Sequence, residues 1–280
     1  MRTRVLILFL VAAAVPDARA WVQYLTASGQ PLSWDVPAIE LLVAPETPLG
    51  IGPSKDALDA GIAAWMAIEC DAPTLTARVD AAAALSPDDQ RSSVVWVPDP
   101  AVWNERFSSL ELARTILIHR AVSGRIVDAD IAVNVGGFAF STGACEAERY
   151  DLQGALTHEL GHLFGLDHSL DPEATMKAKE VVGDCEMRTL AADDIAGFCA
   201  TYDVPDRPEP TPEAVEAVEA VDGADVEVTD VVEVSDGADG EEVVTSRGDD
   251  GCHGAAPPLV MSVAAWLALR RARRASARCR

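Results

Sequence analysis

The run Asp151-Leu-Gln-Gly-Ala-Leu-Thr-His158-Glu159-Leu-Gly-His162-Leu-Phe-Gly165-Leu-Asp-His168-Ser169 constrains the fold more than any other stretch of this chain. The spacing H-E-x-x-H puts two imidazoles one helical turn apart on the same face. Two nitrogens so placed can share one metal ion, and Glu159 beside them can act on a water held there. Gly165 then lets the chain leave the helix sharply, since glycine tolerates a left-handed cap. Three residues on, His168 offers a third nitrogen. Three protein ligands leave one position open, as in catalytic rather than structural zinc sites. The chain has five histidines, and three of them fall in this run. The other two, His119 and His253, read as incidental.

Leu152, Leu156, Leu160, Leu163 and Phe164 would bury the opposite face of this helix, with Asp151 as its N-cap. His158, Glu159, His162, Gly165 and His168 together resemble the zinc signature of the metzincin metallopeptidases. The continuation Ser169 to Met176 resembles their matrixin branch, in its bacterial form. The resemblance runs from about Gly29 to Tyr202 and departs at Lys177-Ala178, where matrixins carry an aromatic residue and a proline. It implies an α+β fold: a twisted, mostly parallel sheet with an antiparallel edge strand, an active-site helix, a C-terminal helix, and a zinc cleft between upper and lower subdomains. It further implies Met176 as the methionine beneath the metal, with Asp194 holding that turn. The implied activity is a zinc endopeptidase with Glu159 as general base. An extended peptide would dock along a sheet edge by β-augmentation. A non-proteolytic binding module that keeps the metal site is the alternative, and hydrolysis of another amide, such as cell-wall peptide, is a third.

Around the motif, Ile39–Ala44, Ser93–Val97 and Leu112–His119 read as strands, and 136–148 as a loop. Ser54 reads as the N-cap of a helix carrying Leu58, Ile62, Trp65 and Met66. Thr189 reads as the cap of a last helix with Asp193 and Asp194 in its first turn. From Arg125 to Asn134 the pattern alternates, with Val127, Ala129, Ile131 and Val133 on one face and Asp128 and Asp130 on the other. The acidic face is expected to be solvated, with a contribution to a Ca2+ site as the alternative.

The formal charge of −23 argues against nucleic acid as a partner. Much of the charge is local: 203–250 holds seventeen acidic residues against two arginines, a net of −15. That stretch has no aromatic residue, and its three-residue acid/Val/Ala repeat matches neither helix nor strand, so 204–250 is expected to be a disordered linker, with a partner-binding acidic tail as the alternative. Arg2 and Arg4, the apolar run to Val15 and Ala18-Arg19-Ala20 read as a secretory signal over 1–20. This leaves 21–203 as the catalytic domain, with no room for a propeptide before it. Residues 251–280 comprise Cys252, a short apolar run at 255–269 and an arginine cluster. The pattern resembles myxobacterial sorting tails, which implies transient membrane retention, processing near Cys252 and delivery to the cell surface, with a plain single-pass anchor as the alternative. Together these readings give an exported monomer, at the outer membrane or secreted, acting on protein or peptide. Cys70, Cys145, Cys185 and Cys199 would form disulfides in that compartment, with Cys70–Cys145 and Cys185–Cys199 the expected pairs.

Overall fold

Runs of β-branched and aliphatic residues become strands and the 3.6-residue repeats become helices, in a computed structural model that describes residues 19–87, 89–203 and the backbone of 230–237. The chain opens with β1 (Val22–Gln23), β2 (Ser33–Trp34), β3 (Ala38–Val43), α1 (Ile51–Met66), β4 (Thr74–Val79) and β5 (Ser93–Trp96). Next come α2 (Pro100–Asn104), β6 (Glu111–His119), β7 (Arg125–Val133), β8 (Phe140–Ser141) and β9 (Tyr150–Asp151). The last elements are α3 (Leu152–Leu163), β10 (Leu166–Asp167), α4 (Ala192–Tyr202) and β11 (Asp230–Gly237).

The main sheet has the order β11-β6-β7-β5-β3-β4, with β2 added beside β7. Pairings among β2, β3, β4, β5 and β7 are parallel. β6 runs antiparallel to β7, and β11 runs antiparallel to β6. This is the expected α+β architecture. Helices α1 and α3 cover one face, where Leu58, Trp65, Leu156 and Leu160 share a core with Leu41, Leu117, Ile131 and Val133. A smaller core on the other face gathers Leu85, Val97, Trp103, Phe107, Ile116 and Ala132. Gly61 lets α1 and α3 approach closely, because a Cβ there would stand 2.9 Å from Thr157 Oγ1.

Several expectations are corrected. α1 starts at Ile51 with Gly50 as its N-cap, so Ser54 lies buried inside the first turn and caps nothing. α4 is preceded by Ala191 rather than capped by Thr189, and Asp194 accepts the Ala191 N–H in place of a capping side chain. The 136–148 stretch is not all loop: Phe140–Ser141 pairs in parallel with Tyr150–Asp151. Within the expected linker, Asp230–Gly237 forms a strand, and its other residues lie outside the described ones, as do most of the expected signal and all of 251–280. No helix among the described residues is long and apolar enough to cross a membrane.

The disulfides join Cys70 to Cys199 and Cys145 to Cys185, with Cα separations of 5.4 and 6.1 Å. Trp65 near the end of α1 stacks at 5.2 Å on Phe198 of α4, which brings the flanking Cys70 and Cys199 together. In the second pair, the Gly183 N–H donates to the Arg149 carbonyl at 2.9 Å and so aligns the two cysteine loops. The expected pairing favoured proximity along the chain, whereas loop-closure entropy rises only slowly with length and tertiary packing decides.

Asp128 and Asp130 are each about 1% exposed, so their strand face is not solvated. Their carboxylates accept backbone N–H groups from the segment that folds over them: Ser86 at 2.9 Å and Ser93 at 3.1 Å for Asp130, and Gln90 at 3.2 Å for Asp128. Burial, and then the Asp128 charge, pushes the Asp130 carboxyl up to about 8. A folded-state value raised above the unfolded one means that the native state keeps a proton the unfolded chain has released. The stability Asp130 contributes is therefore complete below about 4 and is lost as pH rises toward about 8. Thermal unfolding across this range should show that decline, and Asp130→Asn should flatten it. A parallel decline in the variant would assign the effect to another group.

Candidate metal centre

Helix α3 is held so that one of its faces has no freedom. At its start the Asp151 carboxylate accepts the Gly154 N–H at 2.9 Å and an Arg188 ion pair at 2.5 Å. Leu152, Leu156, Leu160, Leu163 and Phe164 are fully buried. Indole N–H groups of Trp65 and Trp34 each donate at 2.8 Å to helix carbonyls, those of Thr157 and Leu163. With the helix pinned on the core side, His158, Glu159 and His162 are fixed on the other.

Gly165 has φ +91°, and a Cβ there would lie 2.3 Å from the Leu32 carbonyl oxygen. Only glycine accepts both conditions. The turn sends the chain back as β10, paired with β1, and returns His168 to the helix. His168 is half-buried, whereas His158 and His162 are buried. One nitrogen from each of the three rings lies within 4.8 Å of the others, and His158 Nε2 stands 2.9 Å from His162 Nε2.

The tautomers follow from the neighbours. His158 Nδ1 lies 2.6 Å from the Thr175 carbonyl, and His162 Nδ1 lies 2.8 Å from the Leu166 carbonyl. Carbonyls only accept, so each Nδ1 carries the hydrogen and each Nε2 presents a lone pair. Two lone pairs aimed at one another need a shared cation. The donor set, three neutral imidazoles with their far nitrogens anchored on carbonyls, fits a zinc-type ion.

Below the rings the chain turns through Thr175 and Met176. Asp194 accepts both of their N–H groups, at 2.8 and 2.9 Å, and that of Ala191 at 2.7 Å. The Met176 thioether packs against Gly161, where a Cβ would stand 2.1 Å from the sulfur. Met176 and Asp194 are thus brought to the site with the three histidines and Glu159.

Three groups at the site carry no motif signal. Thr115 of β6 places its hydroxyl on the Glu159 carboxylate and 3.2 Å from the Glu159 carbonyl oxygen. The Tyr24 hydroxyl stands 3.5 Å from His162 Nδ1. Asp193 accepts the Ser169 hydroxyl at 2.5 Å and the Ala20 N–H at 3.2 Å. Thr115 and Tyr24 are far from the motif in sequence, so no spacing rule could have found them. The sequence marks Asp193 as a favourable first-turn charge and gives no sign of its bond to Ser169.

Residues 80–203 match the matrixin family model. This part of the chain is matrixin-like. It includes every residue of the α3 motif, together with β5, β6, β7 and α4. The chain is also 45% identical over 56 residues to macrophage metalloelastase of Oryctolagus cuniculus. That alignment covers 20% of this chain and only 12% of the relative. The matrixin-like match supports a zinc metallopeptidase, since matrixins depend on zinc.

Asp194→Asn would turn an amide donor toward backbone N–H groups and leave at least one without an acceptor. We expect a loss of about 2 kcal/mol or more in denaturant unfolding, together with weaker zinc retention in a chelator competition. Unchanged zinc retention would show that the floor beneath the rings does not depend on Asp194.

Proposed function

We propose that this protein is an exported zinc endopeptidase, with His158, His162 and His168 as the metal ligands and Glu159 as the general base. One observation carries the reading. Two imidazole lone pairs fixed by carbonyl-anchored rings converge with a third ring, and a buried carboxylate stands on the same helical turn. A zinc ion bound there supplies Lewis-acid chemistry, acidifying water and polarising a scissile carbonyl.

The chain's own residues do the rest. The Thr175 and Leu166 carbonyls hold the rings in their ligating tautomers. The Glu159 carboxylate takes a proton from the attacking water and delivers it to the leaving amine. The Thr115 hydroxyl fixes the rotamer of that carboxylate. Asp194 and Met176 keep the floor of the site in place without entering the reaction. An extended peptide lies along β6, the antiparallel strand that touches Glu159 through Thr115. Export is supported by the basic, apolar and A-x-A pattern over 1–20 and by two disulfides in one domain. The apolar 255–269 segment and its arginine cluster support delivery to the cell surface.

Purified protein should carry one zinc and cleave a peptide library or casein, with cleavage abolished by a chelator and restored by zinc. Glu159→Gln should keep the zinc and the fold and lose at least ~100-fold in kcat. Residual activity above that level would remove Glu159 from the role of base, and absence of cleavage by a zinc-loaded protein would remove the endopeptidase.

A further inference from the structure

β6 is an unusual strand to leave at an edge. It is nine residues long, it includes Leu112, Ala113, Ile116, Leu117 and Ile118, and it has no lysine or proline. Its charged pair, Glu111 and Arg114, is tied up in a mutual ion pair at 2.7 Å. Natural sheets blunt such edges or cover them. Here the cover comes from the same chain. β11 pairs antiparallel with β6 along nearly its whole length, from Asp230 opposite His119 to Gly237 opposite Glu111, with one register shift after Ser235. Val234 of β11 stands opposite Thr115, the residue whose hydroxyl holds the Glu159 carboxylate. At up to ~3.3 Å per residue, the intervening 204–229 is long enough to reach any side of a domain of this size. The paired segment reads Asp-Val-Val-Glu-Val-Ser-Asp-Gly, and its three β-branched valines favour extended backbone within an otherwise acidic, repeat-rich stretch.

We propose that Asp230–Gly237 is a built-in occupant of the substrate-docking edge, so that the acidic segment restrains the enzyme from the C-terminal side. The proposal rests on the reading of β6 as the docking strand. The added strand uses the outward N–H and C=O groups of β6, which an extended substrate would need for β-augmentation. Pairing is non-covalent and the tether is intramolecular, so the restraint is competitive. It raises the apparent KM in inverse proportion to the fraction of time the edge is free and leaves kcat untouched. Displacement by concentrated substrate, or cleavage within the acidic segment, releases it.

The test uses the full chain and its V231P/V232P variant. Successive strand residues direct their N–H groups to opposite sides, so one of the two prolines must remove a ladder donor. In hydrogen exchange, the unsubstituted protein should protect successive amides from Ala113 to Ile118. The variant should expose alternate ones, those facing away from β7, at least ~tenfold faster. In the Glu159→Gln background, a labelled synthetic peptide of residues 228–240 should bind the double-proline variant ~tenfold more tightly than the protein with β11 intact. With active protein, the variant should show KM lowered ~tenfold at unchanged kcat. Equal exchange in both proteins, equal binding of the probe peptide, or an unchanged KM would each overturn the proposal. If neither protein cleaves anything while exchange and probe binding still differ, β11 does occupy the edge and it is the endopeptidase reading that fails.

Discussion

A hydrogen bond of 2.6 Å from His158 Nδ1 to the Thr175 carbonyl joins the two halves of the candidate site. On one side is α3, pinned to the sheet by buried leucines and two indole N–H groups. On the other is the turn through Thr175 and Met176, whose N–H groups end on the Asp194 carboxylate of α4. Rings, turn and last helix therefore form one continuous hydrogen-bonded path. A ring rotation at His158 would break it, and so would a shift of α4. Such outer contacts set both the tautomer and the direction of a metal-ligating histidine.

The aromatic cluster gives that path its rigidity. Phe164, immediately after the motif helix, packs edge-to-face on Phe198 at 5.0 Å, and the Tyr202 hydroxyl donates to the Phe164 carbonyl at 3.0 Å. The Cys70–Cys199 bridge ties α4 to the end of α1 beside the same cluster. The lower part of the site is thus fastened to the upper part by packing, hydrogen bonds and a covalent link. The chain after Gly165 depends on these fastenings, because it contains little regular structure before α4.

Much of this was legible in sequence wherever a residue's role is local. The i, i+4 histidines, the Asp151 cap and the Gly165 exit each follow from helix geometry, and the structure places them accordingly. The strands at 39–44, 93–97 and 112–119 are close to those observed. Local signals failed at Ser54 and Thr189, two good N-capping residues that begin no helix. There Gly50 begins the first helix, and a carboxylate three residues inside the last one replaces a capping side chain. The alternation in β7 separates Ala129, Ile131 and Val133 from Asp128 and Asp130, but a register shift against β6 puts Ile126 rather than Val127 on the core face. It could not reveal that Ser86, Gln90 and Ser93 close over the acidic face, where Asp128 and Asp130 are buried.

The sequence by itself determined the chemistry on offer. Three imidazoles, a carboxylate and a flexible glycine at fixed spacings admit few arrangements, because helix pitch and backbone sterics act over a handful of residues. Only the tertiary structure decided what meets that chemistry from afar: Thr115 on Glu159, Cys70 with Cys199 and β11 along β6. These pairings join residues tens to over a hundred positions apart. Closing such loops costs little more than closing short ones, so shape and burial choose the partners rather than distance along the chain.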